Sequence, residues 1–414
     1  MRKIFNLALV SMALFAIVSC SEQKSVNTKI CDYLYGVEYD DYDFGLCVNV
    51  MKKFEPAAAG CSEVRNGNFV GRNLDWYINK EASAIIKINA SDKRYASLGM
   101  IGCCTPFSEE FAASGEFGEP YAILPFFTVD GINENGLYIG VNVMPTGETS
   151  LNPENWESGK WGHGAAFTNP ESDKTYCVTY LVRVVLDNAK SVADAKRIIE
   201  GINWYEPYGF PHEGETQAFH WLISDAESSL VLEFLDNKPY YNETTEITKP
   251  SYGNVMTNFT NKLMSEGIIQ TNGIGYERWD TLAENFEAME QSAEGMENLM
   301  KKVWYTNTYT APAESENFFI SEFASSNRPA ATIYRNGCVW QDEAFLKSVQ
   351  NSKDNFSDES QWHTAETTLW YTTHTSVYDL AAKELNVLVH EGLDGQEGFY
   401  NVKFDDHFNK PLAK

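Results

Sequence analysis

Gly60-Cys61-Ser62-Glu63-Val64-Arg65-Asn66-Gly67-Asn68-Phe69-Val70-Gly71-Arg72-Asn73-Leu74-Asp75-Trp76 is the stretch around which the rest of the chain is organised. It predicts strand, turn, strand: Asn66-Gly67 is a strong hairpin signal, because both central residues of a type I′ turn need positive φ. The hairpin starts on a cysteine and carries an arginine and an aspartate back towards it. A thiol does hydrolytic chemistry when a cation or base lowers its pKa and a carboxylate holds that partner in place. Cys61, Arg72 and Asp75 supply those three parts.

Immediately before the cysteine, Ala57-Ala58-Ala59-Gly60 is small and unhindered. Such a peptide suits a linker, and it equally suits a chain that must be cut between Gly60 and Cys61. Further upstream the chain opens with Arg2 and Lys3, a mostly apolar run from Ile4 to Val18, and Ser19-Cys20. That run is an export signal in composition and too short to span a membrane comfortably. Its ending resembles a bacterial lipobox, which implies cleavage before Cys20 and lipid on that cysteine. The expected organisation is therefore 1–19 lipoprotein signal peptide, 20–60 lipid-anchored tether and propeptide, and 61–414 catalytic body. Residues 21–29 are polar, as a tether from the membrane would be. From Ile30 to Glu55 aromatic residues such as Tyr33, Tyr35, Tyr39 and Phe44 alternate with acids, enough apolar surface to pack on something.

Downstream, strand-like runs occur at Ala84 to Ile88, Tyr121 to Val129 and Leu137 to Val143, separated by long polar stretches from Gly102 to Glu119 and Met144 to Asn169. Loops of that length in a compact domain serve as lids or binding loops, or are disordered insertions. Val178, Leu181, Val182 and Val185 have helical spacing and predict a helix over 175–188. A second runs from Ser191 to Ile199, capped by Ser191 and stopped by Gly201. Strands at 220–225, 230–234 and 253–258, helix faces at Trp279 to Met289 and Met296 to Val303, and strands at 367–378 and 385–390 complete the pattern. Strands, helices and strands again imply sheets covered by helices.

Composition excludes several classes. With 414 residues the chain can bury a large core. Its 32 basic against 58 acidic residues, a net charge of -26, leave no electrostatic footprint for nucleic acid. No G-x-S-x-G, P-loop, H-E-x-x-H or paired C-x-x-C motif occurs, so the serine hydrolase, nucleotide and common zinc readings lack their marks, and no cofactor is expected. Eight cysteines are present. Cys31 with Cys47 is the most local candidate disulfide, Cys177 and Cys338 are expected as buried thiols, and Cys104, with no arginine-aspartate return strand after it, as structural. His220, between Phe219 and Trp221, is expected to be a core histidine.

Taken together, Cys61 and Gly71-Arg72-Asn73-Leu74-Asp75-Trp76 resemble the start of the choloylglycine hydrolase group of N-terminal nucleophile hydrolases, which cleave linear amide C–N bonds. Three later segments are similar to that group in the same order: Asn133-Glu134-Asn135-Gly136-Leu137 with Asn142 and Pro145, then His220 to Asp225, then Met256-Thr257-Asn258. Arg278, in Gly275-Tyr276-Glu277-Arg278-Trp279, matches the group's last active-site arginine. The resemblance implies an α+β fold, a four-layer αββα sandwich, whose nucleophile is the first residue of the mature chain. The α-amine, with a reference pKa of about 7.7 to 8.0, then serves as base for the adjacent thiol. It further implies that Cys61 attacks the amide carbonyl, Arg72 stabilises the thiolate and Asp75 holds the amine. Asn142 through its backbone N–H and Asn258 through its side chain would form an oxyanion hole, and Arg278 would fix the charge of the site. One departure stands out: only ten residues separate Cys61 from Arg72, a shorter hairpin than is usual in the group. A tight turn confines the loss to the turn, whereas a one-residue slip would turn Arg72 away from Cys61.

The expected activity is that of a cysteine amidase acting on N-acyl amides, with conjugated bile acids, fatty-acid amides or penicillin V-like compounds as substrate classes. The segment before Cys61 looks more like the acid ceramidase branch, which implies a propeptide retained as a small partner chain. The competing expectation is a non-catalytic, lipid-anchored binding protein for apolar ligands on the same fold. Either way the protein is expected to be an exported bacterial lipoprotein, periplasmic or at the cell surface.

Overall fold

The computed structural model describes residues 25–31, 34–45, 60–77, 83–102, 124–144, 150–155, 165–206, 218–268, 275–304, 370–389 and 398–408. The chain begins with strands β1 (Ser25–Cys31), β2 (Leu34–Tyr39), β3 (Gly60–Asn66) and β4 (Phe69–Tyr77). There follow β5 (Ser83–Ile88), β6 (Ser97–Ile101), β7 (Thr128–Asn133) and β8 (Tyr138–Val143). Short strands β9 (Ala165–Phe167), β10 (Thr175–Cys177) and β11 (Asn203–Tyr205) flank helices α1 (Leu181–Asn188) and α2 (Val192–Glu200). Next come β12 (Phe219–Ser224), β13 (Ser229–Leu235), β14 (Lys238–Thr244) and β15 (Val255–Met256). Helices α3 (Asn261–Ser265), α4 (Tyr276–Phe286) and α5 (Ala293–Lys301) precede the last strands, β16 (Trp370–Asp379), β17 (Glu384–Val389) and β18 (Tyr400–Lys403).

These strands form a nine-stranded sheet in the order β1-β2-β5-β6-β7-β8-β12-β13-β14, a six-stranded sheet in the order β15-β3-β4-β16-β17-β18 and a small three-stranded sheet in the order β10-β11-β9. β3 lies against β8, so the first two sheets face each other. Helix α1 covers β7 and β8 and α2 touches β12, while α4 lies on β3 and β15 and α5 on β4 and β16. The result is helix, sheet, sheet, helix, the αββα sandwich. Alternation on β3 and β4 explains why both faces are buried. Val64 packs outward on Leu282, Phe286 and Met296 of the helices, whereas Val70 joins the core between the sheets.

The hairpin closes differently from the predicted turn. Asn66 pairs with Phe69, so the two loop residues are Gly67 and Asn68. Gly67 has φ +58° and Asn68 is not in the positive-φ region, the pattern of a II′ turn with glycine first. The register places Glu63 opposite Arg72 and Cys61 opposite Leu74. Moving a two-residue turn by one position changes each cross-strand partner by two, so every side chain keeps its face. Arg72 therefore points to the same side of the sheet as Cys61 despite the short hairpin.

Other elements correct the expectations. Ser25–Cys31 is strand rather than tether, and it pairs antiparallel with β2, which runs parallel to β5. The segment before Gly60 is thus built into the large sheet, and Tyr42 donates a short hydrogen bond to Asp187 of α1. Leu124–Phe127 is a 3-10 turn, not strand, closed where Thr128 Oγ1 donates to Pro125 O at 2.7 Å. The helix expected over 175–188 begins only at Leu181, because parallel pairing with β11 draws Thr175–Cys177 into a strand. α2 matches its prediction, with Ser191 Oγ accepting from Asp194 N at 3.2 Å. Within the expected loop over 144–169, Pro153–Asn155 is a 3-10 turn and Ala165–Phe167 a strand. Cys20, Cys47, Cys104, Pro145, Cys338 and most of the 102–119 stretch lie outside the described residues. No helix among the described residues is long and apolar enough to cross a membrane.

Candidate active site

β3 presents Cys61 and Glu63 on its inner face, both fully buried. Arg72 comes back along β4 and spends its donors on four acceptors. Nε donates to Glu63 Oε1 at 3.1 Å, Nη1 to Asp130 Oδ2 at 2.5 Å, and Nη2 to Val141 O at 2.8 Å and to Cys61 Sγ at 3.5 Å. A planar guanidinium with five fixed N–H vectors suits this, since the four acceptors are spread over three strands, β3, β7 and β8. Asp130, on β7, also accepts from Ser376 Oγ at 3.0 Å and from Tyr378 Oη. Glu63 Oε2 accepts from Tyr138 Oη at 3.0 Å. With its amide turned to satisfy its neighbours, Asn142 donates to Glu63 Oε1 at 2.8 Å.

A second arginine fixes the main chain of the cysteine. Arg278 Nη1 donates to Cys61 O at 2.6 Å and lies 3.3 Å from Asp75 Oδ2, and its Nη2 donates to Asn258 Oδ1 at 2.7 Å. The same Asn258 oxygen accepts from Cys61 N at 2.9 Å, while Asn258 Nδ2 donates to Val143 O at 2.8 Å. Asp75 is held in turn by Thr372 Oγ1 at 2.6 Å. Arg278 sits in the first turn of α4, where the helix dipole disfavours a cation, and Asp75 with two oxygen acceptors offsets that cost. The structure thus gathers Cys61, Arg72, Asp75, Asn142, Asn258 and Arg278 about one point. Gly60 is still joined to Cys61 and faces Asp75 across the hairpin.

Two geometries differ from the roles implied by resemblance. In the uncut chain, Asn258 Oδ1 is the acceptor for Cys61 N–H, and the Asp75 carboxylate pairs with Arg278 while its main chain hydrogen-bonds the Cys61 thiol. The Asn142 main-chain N–H runs along the sheet. Met144 N donates to Ala218 O, and antiparallel alternation then makes Asn142 and His220 a hydrogen-bonded pair. What Asn142 directs at the cluster is its side chain. His220 is the structural residue expected, bonded to Glu233 at 3.1 Å and to Thr257 O at 2.8 Å.

Burial dominates the electrostatics. It pushes the Cys61 thiol up to about 12, against the pull of Arg72, with Asp75 and Glu63 adding to the rise. Burial also pushes Glu63 up to about 8, opposed by Arg72. For Asp130 burial is outweighed by Arg72 together with His374 and Tyr378, and the carboxyl is held below its usual range. With the Gly60–Cys61 bond intact, the sulfur is therefore a thiol. Glu63, Asp130, Tyr138 and Tyr378 were not visible as site residues. Alternation alone could have found Glu63, two positions from Cys61 on the same face. Among the described residues no cluster of His, Cys, Asp and Glu could hold a metal ion.

Residues 61–264 match the family model described as linear amide C-N hydrolases, choloylglycine hydrolase family. No curated protein matches the chain in sequence. Among solved structures the chain is similar to penicillin V acylase from Agrobacterium tumefaciens, 14% identical, covering 81% of this chain and 84% of that chain, TM-score 0.42. It is also similar to conjugated bile acid hydrolase from Clostridium perfringens, in two variants, each 14% identical. One match covers 84% of this chain and 94% of that chain with TM-score 0.39, the other 86% and 95% with TM-score 0.38. The matched segment, residues 61–264, holds the cysteine, Arg72, Asp75, Asn142 and Asn258, and it is this part of the chain that is similar to the choloylglycine hydrolase family of linear amide C-N hydrolases.

Proposed function

We propose that the protein is a cysteine amidase that hydrolyses N-acyl amides once cleavage of the Gly60–Cys61 bond makes Cys61 the first residue of its chain. The observation that carries this is the Cys61 Sγ held 3.5 Å from Arg72 Nη2 while Asn258 and Arg278 grip the N–H and C=O of the same residue. A buried thiol pushed up to about 12 is a poor nucleophile. A free α-amine beside it, with a reference pKa of about 7.7 to 8.0, supplies the missing base. Cys61 attacks the acyl carbonyl, Arg72 stabilises the thiolate and Asn258 Nδ2 donates to the oxyanion. Asp75 acts through Arg278 to keep Asn258 and the Cys61 main chain in place.

The substrates we propose carry a bulky apolar acyl group: conjugated bile acids, fatty-acid amides or penicillin V-like compounds. Residues 20–60 are the propeptide, whose lipid on Cys20 anchors the exported protein to the membrane, in the periplasm or at the cell surface, with strands β1 and β2 retained after cleavage. A binding protein of the same fold would have no use for so complete a set of polar groups about one sulfur. Mass spectrometry of purified protein, followed by a hydrolysis panel of bile acid conjugates, fatty-acid ethanolamides and penicillin V, tests the proposal. A chain starting at Cys61 together with hydrolysis of a panel member supports it. Hydrolysis by a preparation with no such terminus overturns the mechanism.

A further inference from the structure

Glu63 and Asp130 are the two carboxylates in contact with Arg72, and the proposed chemistry gives neither a task; Glu63 is the one that shares the strand and the face of Cys61. It is fully buried between the sheets and stands directly across the hairpin from Arg72. Around it are Arg72 of β4 at 3.1 Å, Tyr138 of β8 at 3.0 Å, Asn142 of β8 at 2.8 Å and, through Arg72, Asp130 of β7. Asp130 is itself faced by His374, Ser376 and Tyr378 of β16. Room for the carboxyl exists only because position 140 is glycine: a Cβ there would stand 2.4 Å from Glu63 Oε2. Arg72 thus serves two carboxylates and the sulfur at once.

Charge decides what that arrangement permits. If both Glu63 and Asp130 are ionised, they overcompensate Arg72, and a thiolate at Cys61 adds a further negative charge to a water-free cluster. If Glu63 holds a proton, Arg72 and Asp130 balance, and the thiolate can form opposite a protonated α-amine. The neutral acid keeps its contacts, because Tyr138 Oη can accept as well as donate. We propose that Glu63 is a positioning residue for the amidase reaction: it fixes the Arg72 guanidinium against the Cys61 sulfur and, by keeping or losing its own proton, sets how far that guanidinium favours the thiolate. The inference rests on the amidase reading of the site. Burial pushes Glu63 up to about 8 against the pull of Arg72, so the change of state falls where the enzyme can be assayed.

The test compares the cleaved full-length protein with Glu63→Gln and Tyr138→Phe. Two quantities are followed from about pH 6 to about pH 10. One is kcat/KM for whichever panel amide is hydrolysed. The other is the ultraviolet thiolate absorbance of Cys61, after subtraction of the same protein carrying Cys61→Ser. In the wild type, kcat/KM should fall about tenfold per pH unit once Glu63 has ionised. Glu63→Gln should lose that fall and form its thiolate at lower pH. Tyr138→Phe removes a hydrogen bond that favours the ionised carboxylate, so the fall should move to higher pH. A Glu63→Gln profile superimposable on the wild type overturns the proposal. Should that variant fail to fold, an unmoved fall in Tyr138→Phe overturns it instead. If no amide is hydrolysed but the thiolate titration still shifts in Glu63→Gln, the amidase reading fails and the coupling of Glu63 to Cys61 stands.

Discussion

Cys61 is gripped through its own peptide unit, its N–H by Asn258 and its C=O by Arg278, while its sulfur faces Arg72. Replacing Cys61 by Ala is expected to abolish amide hydrolysis and leave Gly60–Cys61 uncut, read as one intact band and an unshifted mass. Asn258→Ala removes the proposed oxyanion donor and is expected to lower kcat by about 10²- to 10³-fold, measured under saturating substrate. Arg72→Ala should be worse for the fold than for chemistry alone. It leaves Glu63 and Asp130 buried without their cation, and breaking such a cluster costs about 3–5 kcal/mol, measurable by denaturant unfolding.

The hairpin shows what could be read from the chain and what could not. Strand, turn and strand followed from alternation and from the glycine, and Cys61, Arg72 and Asp75 were found on it. The turn was placed one residue early because Asn-Gly favours I′, while the sheet accepts a II′ turn with Gly67 leading. Glu63 and Asp130 stayed hidden since their common partner is Arg72, and Asp130 lies 58 residues from it in the chain. β1 was hidden because its alternation of Val26, Thr28 and Ile30 is short and set among polar residues, and it is ordered by pairing with β2. The helix expected from Thr175 lost its first turns to β11 for the same long-range reason. Gly67→Ala is expected to destabilise the protein by about 1–2 kcal/mol, because φ +58° brings its Cβ against the following carbonyl. Loss of the α2 cap in Ser191→Ala should cost about 1 kcal/mol; both are read as shifts in unfolding midpoint.

Across the whole molecule, residues before the proposed cut and residues after it share one sheet. Glu38 of β2 accepts from Asn89 at 3.1 Å and from His407 at 2.9 Å and lies 3.4 Å from Lys87. Burial would raise its pKa, but these partners outweigh it and hold it below its usual value. A carboxyl depressed in the folded state stabilises above its unfolded pKa, and that contribution is lost as pH falls through the folded value. After cleavage the N-terminal piece should therefore co-elute with the body near neutral pH and begin to separate once the pH drops below about 4.3, with Glu38→Gln separating at milder acidity. Size-exclusion chromatography with denaturing gels of each fraction measures this.

Parallel pairing of β2 with β5 also decides what the large sheet shows to its surroundings. Ala84, Ile85, Ile86 and Ile88 are buried, and the backbone of their strand is paired on one side by Leu34–Tyr39. Were the released piece to leave, β5 would become an apolar sheet edge with a row of unpaired backbone groups, a template for strand addition by another copy. The proposed propeptide would then be a guard against self-association, and losing it would register first as turbidity and only later as lost turnover.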